Sequence, residues 1–228
     1  TEAHPAQVAH PLAPERRGHG HTPDVAGPLH YEDMADDTIR FLEQVVGGPA
    51  HLVGWSDGGI IGLLVAIRRR DLVRKLVVVG TNYDTSGLAP GVAEMFAQMD
   101  PAGDDMAMFR DLHALHSPDG PAHWPQFFAK SVAMLTTEPH IPPADLAGIT
   151  APALVLVGDD DLVSLAHTVA LYEALPAAEL AVIPGASHAV LLERPDLCNQ
   201  LILDFLEHDP APTLLPLRRD HERALPDA

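Results

Sequence analysis

The residues with the clearest capacity for covalent chemistry lie in one segment, Gly54-Trp55-Ser56-Asp57-Gly58-Gly59. A short aliphatic run, Ala50 to Trp55, leads into it, and an apolar stretch with helical character follows it. That context fits a serine held on a sharp strand-to-helix turn, a nucleophile elbow. Such a turn crowds the backbone against itself, so small residues are needed around the serine; Gly54, Gly58 and Gly59 supply the room. The start of the helix adds a field that favours developing negative charge, and the Asp57 backbone N–H is expected to serve an oxyanion hole.

A serine hydroxyl is a weak nucleophile until a base takes its proton, and the base must itself be oriented. Both partners are expected at the ends of later strands. Gly158-Asp159-Asp160-Asp161 follows the apolar run ending at Val157, and Pro184-Gly185-Ala186-Ser187-His188 follows the run ending at Ile183. Of 14 histidines, His188 stands directly after an expected strand, in a glycine-bearing loop and ahead of a proline-started helix. It is the candidate base. Asp161 is the preferred acid, because the first residues after a strand must make the turn while the third can reach back; Asp159 and Asp160 are read as turn formers or solvated charges. The order serine, acid, histidine is that of one known class of hydrolytic triad.

The elements that must position these groups alternate between short aliphatic runs and amphipathic stretches, which predicts a mostly parallel α/β sheet. Expected strands are Val8 to Leu12, Ala50 to Trp55, Lys75 to Val79, Ala153 to Val157 and Glu179 to Ile183. Expected helices cover Tyr31 to Val46, closed by Gly47 and Gly48, the segment after Ser56, Leu165 to Leu175, and Pro195 to about Glu207. Residues 83–147 break the rhythm, with amphipathic stretches near 91–99, 104–116 and 122–135 and no convincing strand. This interval reads as a helical cap or lid, rich in methionine and phenylalanine; its apolar residues either line a pocket or pack the lid onto the body. The division expected is 1–82 as the first part of the core with the elbow, 83–147 as the cap, 148–208 as the second part of the core with the acid and the histidine, and 209–228 as a flexible, proline-rich tail. Trp55, Asp57, Trp124 and Phe127 are candidate substrate contacts.

Composition excludes several functions. The 228 residues carry 14 basic against 32 acidic side chains, a formal net charge of −18, which repels a phosphate backbone, so no nucleic-acid partner is expected. No apolar run approaches the roughly 20 residues of a membrane-spanning helix, and no membrane partner is expected. A single cysteine, Cys198, fits a reducing compartment and is read as core, and no charged-then-apolar leader follows Thr1, so a cytoplasmic location is expected. His19-Gly20-His21, with His10 and His30 nearby, lacks ligands at helical spacing; neither a metal nor another cofactor is expected. Arg68, Arg69 and Arg70 are read as cations closing the helix after the elbow.

From about Pro14 to Glu207 the chain resembles the α/β-hydrolase superfamily. Gly54 to Ile60 looks most like the elbow of the valacyclovir hydrolase (biphenyl hydrolase-like) group, which cleaves small esters including amino-acid esters. Gly158 to Val163 resembles the family's acid turn, Gly185 to Pro195 its histidine loop and final helix, and Arg17-Gly18-His19-Gly20 the segment after its fourth strand, with Glu15 where an aspartate is common. The resemblance implies Ser56 as nucleophile, Asp161 as orienting acid, His188 as base, and residues 83–147 as the helical cap. It leaves Asp57 two roles, holding a substrate ammonium group or capping the elbow helix.

The match departs from the family before Val8. The His-Gly pair that marks a second oxyanion donor is not found there, and the first three strands and first helix are expected to be missing, leaving the Ala50 to Trp55 strand with an unpaired edge. Losing one oxyanion donor costs about 100- to 1000-fold in turnover, so weakened activity is expected. The expected function is hydrolysis of a small ester or related acyl compound through a serine acyl-enzyme. Lactonase, C–C hydrolase, thioesterase and cofactor-free haloperoxidase chemistry share the triad. The alternatives from other classes are a non-catalytic relative or inactive fragment, and an acidic interaction module acting through the tail.

Overall fold

The computed structural model describes residues 11–210 and 213–215. Four parallel strands form its sheet, β1 (Ala50–Trp55), β2 (Val73–Val79), β3 (Ala153–Asp160) and β4 (Ala178–Ser187), in the spatial order β1-β2-β3-β4. Nine α-helices accompany them among the described residues: α1 (Tyr31–Phe41), α2 (Asp57–Arg68), α3 (Val92–Gln98), α4 (Ala107–His116), α5 (Trp124–Thr137), α6 (Pro143–Leu146), α7 (Leu165–Ala174), α8 (Val190–Glu193) and α9 (Pro195–Glu207). No helix among the described residues is long and apolar enough to cross a membrane.

The chain separates into two compact units. The smaller joins the described residues up to Gly27 with Asp100–Phe128; the larger joins Pro28–Met99 with the chain from Ala129 onward. The interval 83–147 therefore contributes to both. Its helices α3, α4 and α5 fall near the amphipathic stretches of the sequence.

In the larger unit, β2 is buried along nearly its whole length, as expected of a central parallel strand made of valine and leucine. Its side chains alternate between two apolar layers. Val77 and Val79 join Leu154, Leu156 and Ile183 against Val190, Cys198, Ile202 and Phe205 of α8 and α9. Leu76 points the other way, toward α2, where a Cβ on Gly62 would meet its Cδ1 at 2.9 Å. Cys198 is fully buried, with its thiol 3.6 Å from the Val190 carbonyl, which is the core role read for it. At the open end of the order β1 has no neighbour on its outer edge among the described residues, and Val53 is 52% exposed there.

Several boundaries move. The helix after His30 is α-helical only to Phe41; Leu42–Val46 is a π-helical turn that ends at Gly47 with φ +79°. β3 continues to Asp160, so Asp159 makes no turn, and its Oδ1 instead accepts the Ala186 N–H at 3.2 Å. β4 runs to Ser187 and pairs there with Asp160, which makes Pro184 to Ser187 irregular strand where a loop was expected. In β3 and β4 the neighbouring strand supplies partners for backbone groups that a loop would leave to water. Of the expected Val8 to Leu12 strand, only Pro11 and Leu12 are described, in irregular backbone; the rest of it and most of residues 209–228 lie outside the described residues.

Candidate active site

The elbow is held by backbone crowding that sequence-level glycine counting anticipated. Ser56 has φ +54° and ψ −117°, and it is the one non-glycine residue with positive φ among those described. Such a conformation persists only where its surroundings enforce it. Here the Ser56 N–H donates to the Val79 carbonyl at 2.8 Å, which ties the turn to the end of β2. A Cβ on Gly54 would sit 2.2 Å from the Gly58 backbone, and one on Gly59 would sit 1.9 Å from Thr81 Oγ1. Helix geometry leaves the first amides of α2 without intrahelical acceptors, Asp57 foremost.

The structure brings Ser56, His188 and Asp161 into one hydrogen-bonded line. His188 Nε2 lies 3.0 Å from Ser56 Oγ, and His188 Nδ1 lies 2.8 Å from Asp161 Oδ1. With Asp161 ionised, Nδ1–H donates to it and Nε2 is left to accept the serine proton. The Asp161 side chain is fully buried and its Oδ1 also accepts the Val163 N–H at 2.9 Å; His188 keeps 20% of its side-chain surface. Gly80, which the sequence reading overlooked, makes room for this pair: φ there is +54°, and a Cβ would lie 3.0 Å from both Asp161 Oδ2 and His188 Nδ1. The signal was a glycine immediately after the buried run ending at Val79.

An open depression of ≈ 340 Å³ adjoins Ser56 and His188 within the larger unit. Leu88, Phe96, Leu135, Leu162 and Val163 give it apolar walls, and Tyr31, Asp57, Asn82 and Glu138 give it polar ones. Asp57 is the first residue of α2, and its Oδ1 accepts the hydroxyl of buried Tyr31 at 2.7 Å. Glu138 in turn accepts the Tyr31 N–H at 3.1 Å and contacts His30 Nδ1 at 2.5 Å. Sequence reading missed Tyr31, Asn82 and Glu138 as wall residues, since nothing in their local pattern marks them.

The other candidate contacts fall elsewhere. Trp55 ends β1, and its Nε1–H donates to the His188 carbonyl at 2.9 Å. Trp124 and Phe127 belong to the smaller unit, where Trp124 Nε1–H donates to the Pro101 carbonyl at 2.8 Å and both rings lie against His113. Of the histidines considered for a metal, His10 lies outside the described residues, and the other three have separate partners: His19 Nδ1 the Arg17 carbonyl, His21 the Glu15 carboxylate, and His30 Glu138. Arg68 closes α2 as read and pairs with Glu32 and Asp36, while Arg69 pairs with Glu43 and Asp71.

His167 and Asp84, near the loops after β2, are both shifted. Burial pushes the His167 imidazole below its ordinary value; its Nε2 accepts the Tyr83 N–H at 3.1 Å, and its ring stacks on Tyr83 with centroids 4.0 Å apart. Asp84 is held at about 2 by the Ser86 hydroxyl, by His140, and by the Ser86 N–H.

Known proteins place this geometry in context. The chain is 26% identical over 205 residues to the human protein named serine hydrolase BPHL, covering 86% of this chain and 69% of that one. It is 26% identical over 214 residues to a putative carbamate hydrolase RutD from Azorhizobium caulinodans, covering 84% and 78%. Among solved structures, MGS-M2, an alpha/beta hydrolase from a deep-sea metagenome, shares its fold with a TM-score of 0.69 at 21% identity, covering 88% of this chain and 80% of that one. A meta-cleavage product hydrolase from Pseudomonas fluorescens IP01 does so at 0.65 and 19% identity, covering 85% and 78%. The sequence model of the alpha/beta hydrolase family matches residues 2–201, and the chain belongs to that family of hydrolases.

Proposed function

We propose that this hydrolase cleaves a small carboxylic ester, or a related acyl compound, through an acyl-enzyme on Ser56. The observation that carries the reading is the continuous line Ser56 Oγ, His188, Asp161, with contacts of 3.0 and 2.8 Å. His188 Nε2 takes the proton of Ser56 as Oγ attacks the acyl carbonyl carbon. The oxyanion that forms is met by the Asp57 N–H at the start of α2. Collapse breaks the bond to the leaving group, which receives the proton from Nε2. Water then attacks the acyl-enzyme, His188 removing its proton, and the ester bond to Ser56 breaks to release the acid. Asp161 holds the imidazole in the required tautomer throughout. Each step uses only protein groups and water.

The depression beside Ser56 supports a short acyl group, because Leu88, Phe96 and Leu135 offer apolar walls in a small space. Hydrolysis of p-nitrophenyl acetate and butyrate tests the proposal, together with mass spectrometry after a fluorophosphonate. The expected result is nitrophenol release and one phosphonyl adduct on Ser56, both lost in Ser56→Ala. A folded protein that is no faster than Ser56→Ala would sink it.

A further inference from the structure

We infer that Trp55 is a positioning residue for the base, holding the backbone of His188 through its indole N–H and backing the imidazole with its ring. The inference rests on the reading of Ser56 and His188 as nucleophile and base. Trp55 is the last residue of β1 and directly precedes Ser56. Its Nε1–H donates to the His188 carbonyl at 2.9 Å, across 133 residues of sequence. The two rings lie with centroids 5.9 Å apart and planes tilted by 39°. One side chain thus ties the strand that carries the nucleophile to the main chain that carries the base.

The tie matters most when the other one is broken. In the resting site His188 is held by three contacts: Ser56 Oγ at Nε2, Asp161 at Nδ1, and Trp55 at its carbonyl. Once Ser56 is acylated it has no proton to donate, and the first contact is gone. Asp161 then fixes the orientation of the ring, and the Trp55 bond fixes where the residue stands relative to β1. Its ring adds a second effect: an imidazolium within about 6 Å of an indole is attracted by the π system, and His188 is an imidazolium in each proton-transfer step. A tryptophan that merely contacted substrate would need neither the bond to the His188 carbonyl nor the approach to its ring.

Steady-state kinetics and fluorescence test this together. Trp55→Phe keeps an aromatic ring and removes the N–H; its kcat should fall about five- to tenfold, with KM no higher than in the parent and cooperative unfolding retained. Trp55→Leu, which loses the ring as well, should fall further. A rise in KM with kcat preserved would make Trp55 a substrate contact and overturn the inference, as would a Trp55→Phe protein as fast as the parent. The chain has two tryptophans, so Trp124→Phe leaves Trp55 as the sole emitter. In that background His188→Gln takes away the imidazole that the indole faces, and the intensity of Trp55 emission should change. Emission identical in the two proteins removes the ring contact. Because fluorescence reads no activity, it can succeed where the Ser56→Ala comparison fails, and the two readings stay separable.

Discussion

The two units each hold a buried aspartate bonded to a mostly covered histidine, and the two pairs match in distance and burial. His188 and Asp161 of the larger unit meet at 2.8 Å with side-chain exposures of 20% and 0%; His123 and Asp24 of the smaller meet at 2.8 Å with 20% and 5%. What differs is the ring nitrogen that the aspartate takes, Nδ1 in His188 and Nε2 in His123, and what lies on the other side of the imidazole. His188 presents Nε2 to Ser56 Oγ on a turn forced to φ +54° at the start of α2. His123 lies in a stack, 6.3 Å from the His113 ring, which itself packs on Phe127 and Trp124. An aspartate-histidine pair is therefore no mark of catalysis by itself; the strained serine and the helix start beside it are what the proposed chemistry asks of the first pair, and the second pins the smaller unit's loops together.

Breaking the line at the base should separate the pairs most sharply. His188→Gln is expected to lower kcat on the nitrophenyl esters on the order of a millionfold, as loss of the base does in serine hydrolases, while His123→Gln should change kcat less than twofold and act on thermal unfolding instead. Comparable losses from both would mean that the smaller unit's pair takes part in the reaction. The acids come next. Asp161→Asn should cost about 10,000-fold, because an amide stabilises the wrong tautomer of the imidazole. Asp24→Asn should leave turnover alone and lower the melting temperature, since Asp24 also accepts the Val25 N–H at 2.8 Å and its backbone bonds Asp119.

This contrast also explains what the sequence could and could not disclose. Ser56, Asp161 and His188 each sit within a residue or two of a strand's end, so the period of aliphatic runs was enough to bring them toward one end of the sheet. The elbow was legible because Gly54 and Gly59 answer a crowding that is local in the chain. The partners of Trp124 and Phe127 were not legible. The bonds from Tyr31 to Asp57 and from Asp24 to His123 were equally hidden, since they join residues 26 and 99 apart through packing that no window of sequence contains. The extra length of β3 and β4 escaped for a related reason: Asp159, Asp160 and Gly185 read as turn residues, and pairing of Asp160 with Ser187 carries the two strands past an irregularity in which Gly185 has φ +63°.

Crowding offers a smaller test of the same division. Alanine at Gly54 would place Cβ 2.2 Å from the Gly58 backbone, which cannot yield without moving the serine. Gly54→Ala should therefore lose both activity and about 2–3 kcal/mol of stability. Gly18→Ala in the smaller unit meets the Phe127 ring at 2.5 Å with φ +76°, and should destabilise while leaving the elbow's chemistry intact. Nitrophenyl ester turnover measured beside chemical unfolding would show a joint loss for the first variant and a loss of stability alone for the second.

A third histidine gives the smallest effect and the cleanest sign. The proposed cycle needs His188 to gain a proton, whereas His167 must stay neutral, because its Nε2 accepts the Tyr83 N–H and its ring is stacked on Tyr83. Burial lowers its folded-state value below the ordinary one near 6.5. The unfolded chain then binds the proton more readily than the folded one, so the stability contributed at this site is complete above about pH 6.5 and falls as the pH drops below it. The parent should melt a few degrees lower at pH 5 than at pH 7.5. His167→Gln keeps an acceptor for Tyr83 and has no proton to gain, so that part of the slope should disappear. An unchanged slope in the variant would assign the acid sensitivity instead to His51 and His113, which burial also lowers, or to the carboxylates, with Asp84, held near 2, still ionised at pH 5 and unable to account for it. A slope that does disappear shows the same residue type serving opposite ends on one sheet, charged by turns in the proposed cycle after β4 and kept neutral beside the loop after β2.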